Sequence, residues 1–167
     1  PIENRLFISS PYVSVLGTLT INISTPFFDE NNDFAGIILA AFDPNALSNL
    51  LSSVIYSDDM KASIMHGDGT LFLTLPTNYL LVGKKLLDSQ SLLSKHISSG
   101  NILNTFKGLT YVGEDNRILS IYSIIPNELD VNTPLYVSVS RNLSILYSDI
   151  KNEIIVMAIL YFLLLIF

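Results

Sequence analysis

The chain has 167 residues, 49% of them hydrophobic and only 14% charged, against roughly 25% charged in an ordinary soluble domain. A formal charge of -6, from 15 acidic and 9 basic residues, offers no basic stripe to neutralise phosphates, which excludes nucleic acid as a partner. Cys is absent and His occurs twice, so neither a disulfide framework nor a thiolate or histidine metal centre is expected, and no cofactor is implied.

In chain order, Thr18 to Ile23 (TLTINI) alternates polar and apolar residues, and Phe34 to Phe42 (FAGIILAAF) is a continuous apolar run. These patterns predict a half-buried strand and a fully buried strand, joined as an antiparallel hairpin through the polar turn PFFDENND. Asp43-Pro44 then predicts a helix start, with Asp43 as N-cap and Pro44 at the first helical position. Leu47, Leu50, Leu51, Val54 and Ile55 fall on one face of that helix, which is predicted to end near Tyr56.

Ala62 to His66 and Thr70 to Leu75 read as short strands joined by Gly67-Asp68-Gly69, whose Asp-Gly pair is suited to the positive φ angles of a tight turn. A loop with Pro76, Asn78 and Gly83 leads to a predicted helix from Ser89 to Ser98, ended by Gly100. Three alternating segments follow, Leu103 to Val112, Arg117 to Ile125 and Leu135 to Arg141, with GEDN at 113 to 116 as a hairpin turn. This order predicts an α+β fold with an antiparallel sheet and helices to one side.

From Asn142 the sequence becomes helical and runs into IIVMAILYFLLLIF, Ile154 to Phe167. The run is apolar all round, unlike a core helix with a polar stripe, and much of the mean hydropathy of +0.46 comes from it. Its 14 residues would reach about 21 Å, short of the roughly 30 Å hydrocarbon core of a bilayer. It is therefore read as a truncated transmembrane helix. The opening PIENRLF has no initiator Met, cationic n-region or signal-peptide h-region, so the chain is expected to be a piece of a longer protein.

Three stretches then carry a resemblance. PYVSVLGTLTINISTPFFDENNDFAGIILAAFDPNAL resembles the end of the membrane-distal module of a double Cache (PAS-like, PDC-type) sensor domain. ASIMHGDGTLFLTLP resembles the opening hairpin of the membrane-proximal module, and RILSIYSIIPNELDVNTPLYVSVSRN is similar to the last two strands before the second transmembrane helix. The resemblance implies residues 1–43 as the C-terminal part of a distal Cache module and 44–141 as a proximal PAS-like Cache module with a five-stranded antiparallel sheet. Residues 142–167 would form a signalling helix running into the membrane.

It further implies an extracytoplasmic, periplasmic sensor input of a bacterial receptor in the inner membrane, a homodimer when complete. The missing output would most often be a diguanylate cyclase with a GGDEF domain, and less often a histidine kinase or chemoreceptor. Two other classes stay open: a membrane-anchored structural domain that only dimerises and, behind it, an anchored enzyme.

No catalytic constellation supports the enzyme. There is no G-x-S-x-G elbow, and only His66 and His96 could act as bases; a packed or solvated role suits both better. Asp58-Asp59 and Asp29-Glu30 read as solvated loop carboxylates, and Gly67-x-Gly69 as a turn with no helix N-terminus behind it. For ligand binding, the resemblance to amino-acid-sensing relatives places Tyr12 and Asp43 at the aromatic and acidic positions that hold a ligand ammonium. Their separation of 31 residues suits neighbouring strands, and carboxylate plus ring face is sensible chemistry for an ammonium. Against it stands the cap role of Asp43. In the proximal module Tyr111, Arg117 and Tyr122 could line a small pocket for an amino acid or carboxylate, but alternating strand aromatics are more often core.

Overall fold

The computed structural model describes residues 4–110, 115–125 and 130–166. Two short strands, β1 (Phe7–Ile8) and β2 (Tyr12–Val13), run antiparallel to β3 (Leu19–Phe28), and β4 (Phe34–Phe42) pairs with β3 as a hairpin. A 3-10 turn (Pro44–Leu47) and α1 (Ser48–Ser52) lead into the main sheet. That sheet contains β5 (Lys61–His66), β6 (Leu71–Leu75), β7 (Leu103–Leu109), β8 (Asn116–Ile124) and β9 (Leu135–Asn142), with α2 (Leu92–Ser99) between β6 and β7. Its order is β6-β5-β9-β8-β7, antiparallel throughout. Helix α3 (Leu143–Ile166) follows β9 without a break.

Both sides of the main sheet are packed. Ala62, Ile64, Phe72 and Leu73 form one buried cluster with Ile21 of β3 and Leu51 of α1. Met65, Leu71, Ile121 and Tyr136 form a second with Leu93 of α2, bordered by Leu81, Leu86 and Leu92. Each fully buried Leu, Ile, Phe or Met contributes about 1.5–3 kcal/mol from its apolar area, so the first cluster joins the N-terminal strands to the main sheet.

The expected α+β fold with a five-stranded antiparallel sheet and a partial sheet before it is what the chain adopts. Several details differ. β3 continues to Phe28, and the turn is confined to 29–33, where the Asp29 Oδ1 accepts from Asn31 N and Asp33 N. β4 is not the fully buried strand that its apolar run predicts. It pairs with β3 alone, and Ile37, Ile38 and Leu39 remain 61%, 61% and 58% exposed.

Asp43 does cap its turn, accepting from Asn45 N at 2.8 Å, but helix α1 stops at Ser52 rather than near Tyr56. There the hydroxyls of Ser52 and Ser53 bond back to the carbonyls of Asn49 and Leu50, the local alternative that makes serine a weak helix former. In the β5–β6 turn only Gly69 has positive φ, +86°; Asp68 instead accepts from Thr70 N at 3.0 Å. Helix α2 begins at Leu92 because Ser91 caps it, and Gly100 ends it in the left-handed region. Strand β7 ends at Leu109; of the predicted GEDN turn, 113 and 114 lie outside the described residues and Asn116 already begins β8.

Helix α3 is continuous, as expected. No helix among the described residues is long and apolar enough to cross a membrane, which corrects the expectation of a transmembrane helix for these residues. Asp149, Lys151 and Glu153 occupy its N-terminal half, which leaves only the segment from Ile154 onward free of charge.

Candidate ligand-binding site

Strand register decides which side chains meet on the α2 side of the main sheet. Residues directly opposite in antiparallel strands share a face, so Lys61, Ser140, Leu119 and Phe106 form one row across β5, β9, β8 and β7. Ser63, Ser138, Ile121 and Asn104 form the next, with Thr74 of β6 opposite Ser63. Above these rows lies a cavity of about 530 Å³, lined by Lys61, Ser63, Ser138 and Ser140 below and by Leu81, Leu86, Gln90 and Leu92 on the wall. Met65, Leu119 and Ile121 extend its apolar floor, and its volume falls within the range of small-molecule sites.

The wall is held by backbone bonds and close packing. Leu71 N donates to Lys84 O, Gly83 N to Leu71 O and Leu86 N to Gly69 O, at 2.8–2.9 Å. Gly69 is needed twice, for its φ of +86° and because a Cβ would lie 2.4 Å from Leu87 Cβ. Beneath α2, the buried His96 bonds through Nδ1 to Asn104 Oδ1 (2.7 Å) and through Nε2 to Ser123 Oγ (2.8 Å), which anchors the helix to the sheet.

Arg117 is 2% exposed and fully engaged. Its Nη1 donates to both carboxylate oxygens of Asp115 at 3.1 and 2.9 Å, its Nη2 to the Asp59 carbonyl, and its Nε to Ser140 Oγ at 2.9 Å. It therefore borders the cavity only through Ser140. Tyr122 neighbours Ile121 on β8 and so points to the opposite face of the sheet, half exposed. Tyr111 lies outside the described residues. Tyr12 and Asp43 do not sit on neighbouring strands. Tyr12 pairs with Thr20 on one edge of β3 and Asp43 follows Phe42 on the other, two strand spacings or roughly 10 Å apart, and Asp43 is occupied as a cap.

The two histidines are packed, one of the two roles that their sequence contexts left open. His66 bonds to Asp68 Oδ1 at 2.8 Å and to the Ile8 carbonyl at 3.1 Å, and stacks on Phe72. Burial pushes the Asp68 carboxyl up, but bonds from Thr70, His66 and Ser10 together hold it well below the usual carboxylate range. Asp59 is not the solvated loop carboxylate expected of Asp58-Asp59. Its side chain is 3% exposed and pairs with Arg141 at 2.8 Å. The Arg141 hydrogen bond lowers its pKa to about 2 against the raising effect of burial, with Ser57 and the Asn142 N–H assisting.

Sequence reading missed Ser63, Ser138, Ser140 and Gln90 as cavity residues. The signal was present for the serines: the alternation in KASIM puts Lys61, Ser63 and Met65 on one face of β5, and that in YVSVSR puts Ser138 and Ser140 on one face of β9.

No family model matches the sequence, and no curated protein matches it significantly. Solved structures do match the fold. The periplasmic sensory domain of the Campylobacter jejuni chemoreceptor Tlp1 superposes with a TM-score of 0.66 at 22% identity, over 85% of this chain and 50% of that one. The extracellular domain of rpHK1S-Z16, described as a histidine kinase, gives 0.69 at 17% identity, over 87% and 57%. The ligand-binding domain of the Pseudomonas aeruginosa PAO1 amino-acid chemoreceptor PctB, in complex with L-Arg, gives 0.63 at 17% identity, over 89% and 54%. The chain spans about half the length of these domains. A five-stranded antiparallel sheet in the order β6-β5-β9-β8-β7, preceded by a partial sheet, thus gives this chain the Cache, PAS-like fold of extracytoplasmic sensory domains.

Proposed function

We propose that the chain is the membrane-proximal part of the extracytoplasmic input region of a bacterial membrane receptor, which takes a small solute in its cavity and signals through α3. The observation that carries this reading is the double role of β9. Ser138 and Ser140 line the cavity, and Asn142, at the end of the same strand, caps α3 by accepting from Ser144 N at 2.8 Å. A solute that binds two states of this strand with different affinity would shift the helix.

In this reading residues 1–43 complete a distal Cache module, 44–141 form the proximal one, and 142–167 form the signalling helix. Every large apolar side chain from Ile154 to Leu164 is at least 46% exposed, an all-round apolar surface that suits hydrocarbon rather than water. This supports an inner-membrane, periplasm-facing placement. The structural neighbours are sensory domains of chemoreceptors and of a protein described as a histidine kinase, and we assign an output of that kind. None of the three structures named above is described as part of a diguanylate cyclase, the output implied by the sequence resemblance. The bare apolar edge of β4 favours a second reading, in which the chain mainly pairs with another copy; the two are compatible in a dimeric receptor.

The test is calorimetric titration of the chain in nanodiscs with the twenty L-amino acids and the straight-chain monocarboxylates, repeated on Ile121→Trp, which fills the cavity. Binding of at least one solute, abolished by the substitution, is the expected result. No binding, or binding that Ile121→Trp leaves unchanged, overturns the sensor reading.

A further inference from the structure

We infer that His66 is a proton-operated clamp between the N-terminal strands and the main sheet, closed when its ring is doubly protonated and loosened when the ring is neutral. The clamp lies where the end of β5 meets the segment around β1. There Leu6 N donates to Asp130 O at 2.7 Å, Asn132 N to Leu6 O at 2.9 Å and Ile8 N to Asn132 Oδ1 at 2.8 Å. His66 reaches the same segment from β5, with Nε2 at 3.1 Å from the Ile8 carbonyl oxygen and Nδ1 at 2.8 Å from Asp68 Oδ1. The ring is buried and stacks on Phe72, so water is a poor replacement for a lost partner.

The partners assign the protons. A carbonyl oxygen accepts and never donates, so the Ile8 contact requires a proton on Nε2. Burial raises the Asp68 carboxyl, but the bonds from Thr70, His66 and Ser10 outweigh it and keep the group ionised. That carboxylate also only accepts, so its contact requires a proton on Nδ1. The imidazolium therefore makes both bonds and a neutral ring makes one. Because the carboxylate is the stronger acceptor, the remaining proton stays on Nδ1 and the bond to Ile8 is the one lost. Ser10 donates to Asp68 Oδ2 at 2.9 Å, and Nε2 faces the backbone, so the trio offers no free base to a nucleophile; its chemistry is proton uptake.

The charged neighbours do not compete for this role. Asp68 touches the ring, the Arg5–Asp130 pair at 3.8 Å lies on the segment before Ile8 and the loop beside it, and exposed Lys85 stands opposite Thr70. Phe72 of β6 and Leu135, opposite His66 on β9, carry no charge. Arginine, lysine and aspartate side chains ordinarily keep their charge between pH 5 and 8, and imidazole does not. The docked segment holds a proton that the undocked one does not need, so docking weakens as pH rises. In the sensor reading above, residues 1–43 belong to the distal module, and external pH would then tune its hold on the proximal sheet; the clamp itself rests on the geometry alone.

Two measurements on the chain in nanodiscs test the clamp without any solute. Long-range proton–nitrogen NMR of the His66 ring reads its protonation, and the expected result is both nitrogens protonated at pH 5 with Nε2 bare at pH 8. Hydrogen exchange of residues 6–8, corrected for the intrinsic effect of pH and referenced to residues 118–123 of β8, should lose about tenfold in protection over the same interval. His66→Gln, which keeps an amide donor but has no titrating proton, should abolish that dependence. A ring that is neutral at pH 5, protection of residues 6–8 that does not change with pH, or an unchanged dependence in His66→Gln each overturns the clamp. If His66→Gln does not fold, the ring spectrum and the exchange of the unaltered chain still decide the matter. None of these results bears on the solute panel, so the clamp and the sensor reading fail separately.

Discussion

Arg141 holds Asp59 with two parallel hydrogen bonds, Nε to Oδ2 at 3.1 Å and Nη2 to Oδ1 at 2.8 Å, and the backbone N–H of Asn142 donates to the same carboxylate at 3.0 Å. The pair sits where β9 becomes α3. Arg117 reaches the Asp59 carbonyl from β8, and Asn142 Nδ2 donates to Asp115. The loop before β5, the start of β8 and the root of α3 are thus tied through one charged cluster, whose members also border the cavity through Ser140.

Removing one member should therefore be costly. Asp59→Ala removes the closer of the two carboxylates paired with Arg141, leaving Asp149 at 3.5 Å, and also the acceptor of the Asn142 N–H, so it is expected to lower Tm clearly more than a surface substitution does. Asp58→Ala, at an exposed neighbour, should change stability by less than about 0.5 kcal/mol. Thermal unfolding followed by near-ultraviolet circular dichroism compares the two.

The same pair sets an acid limit. The folded pKa of Asp59, about 2, lies below its ordinary value of 3.8, so its contribution is complete above pH 3.8 and is lost as pH falls towards 2. Asp68, also lowered, acts in the same direction. Urea midpoints measured from pH 5 to pH 2 should fall steadily, and Asp59→Asn should make that fall shallower. An equal slope in both proteins would show that the pair does not set it.

Two glycines with positive φ make a controlled comparison. Gly100→Ala meets no atom within 4 Å and should cost only the left-handed strain of about 1–2 kcal/mol. Gly69→Ala adds a 2.4 Å approach to Leu87 Cβ, so it should destabilise more and loosen the cavity wall. Chemical denaturation of both variants ranks them.

Residues 1–56 should not fold alone. Ile21 is fully buried, and its cluster needs Ala62, Ile64, Phe72 and Leu73 from the main sheet, so the isolated segment loses most of its apolar cover. A peptide of these residues should show no cooperative thermal transition.

What could be read from the sequence was whatever has a local cause. Asp43-Pro44 marks its own turn, Gly67-Asp68-Gly69 its own hairpin, and the four alternating segments their strands, because capping, turn chemistry and period-two patterning act within a few residues. Phe7–Ile8 and Tyr12–Val13 were illegible, since two-residue strands exist only through their pairing with β3. An apolar run such as β4 shows that a strand can be buried, but its cover depends on what lies beside it. The same limit applied to the site. Asp59 looked solvated because its partner Arg141 lies 82 residues away, and the serines of β5 and β9 meet only once register places them opposite each other.

The central claim, that cavity occupancy reaches α3 through β9, is tested most directly by hydrogen exchange of the chain in nanodiscs with and without saturating amounts of a solute from the amino-acid and monocarboxylate panel whose binding Ile121→Trp abolishes. The account predicts slower exchange across the cavity wall at 81–93 and also along β9 and the first two turns of α3, residues 135–150. Protection confined to the wall, with β9 and α3 exchanging as before, would contradict it.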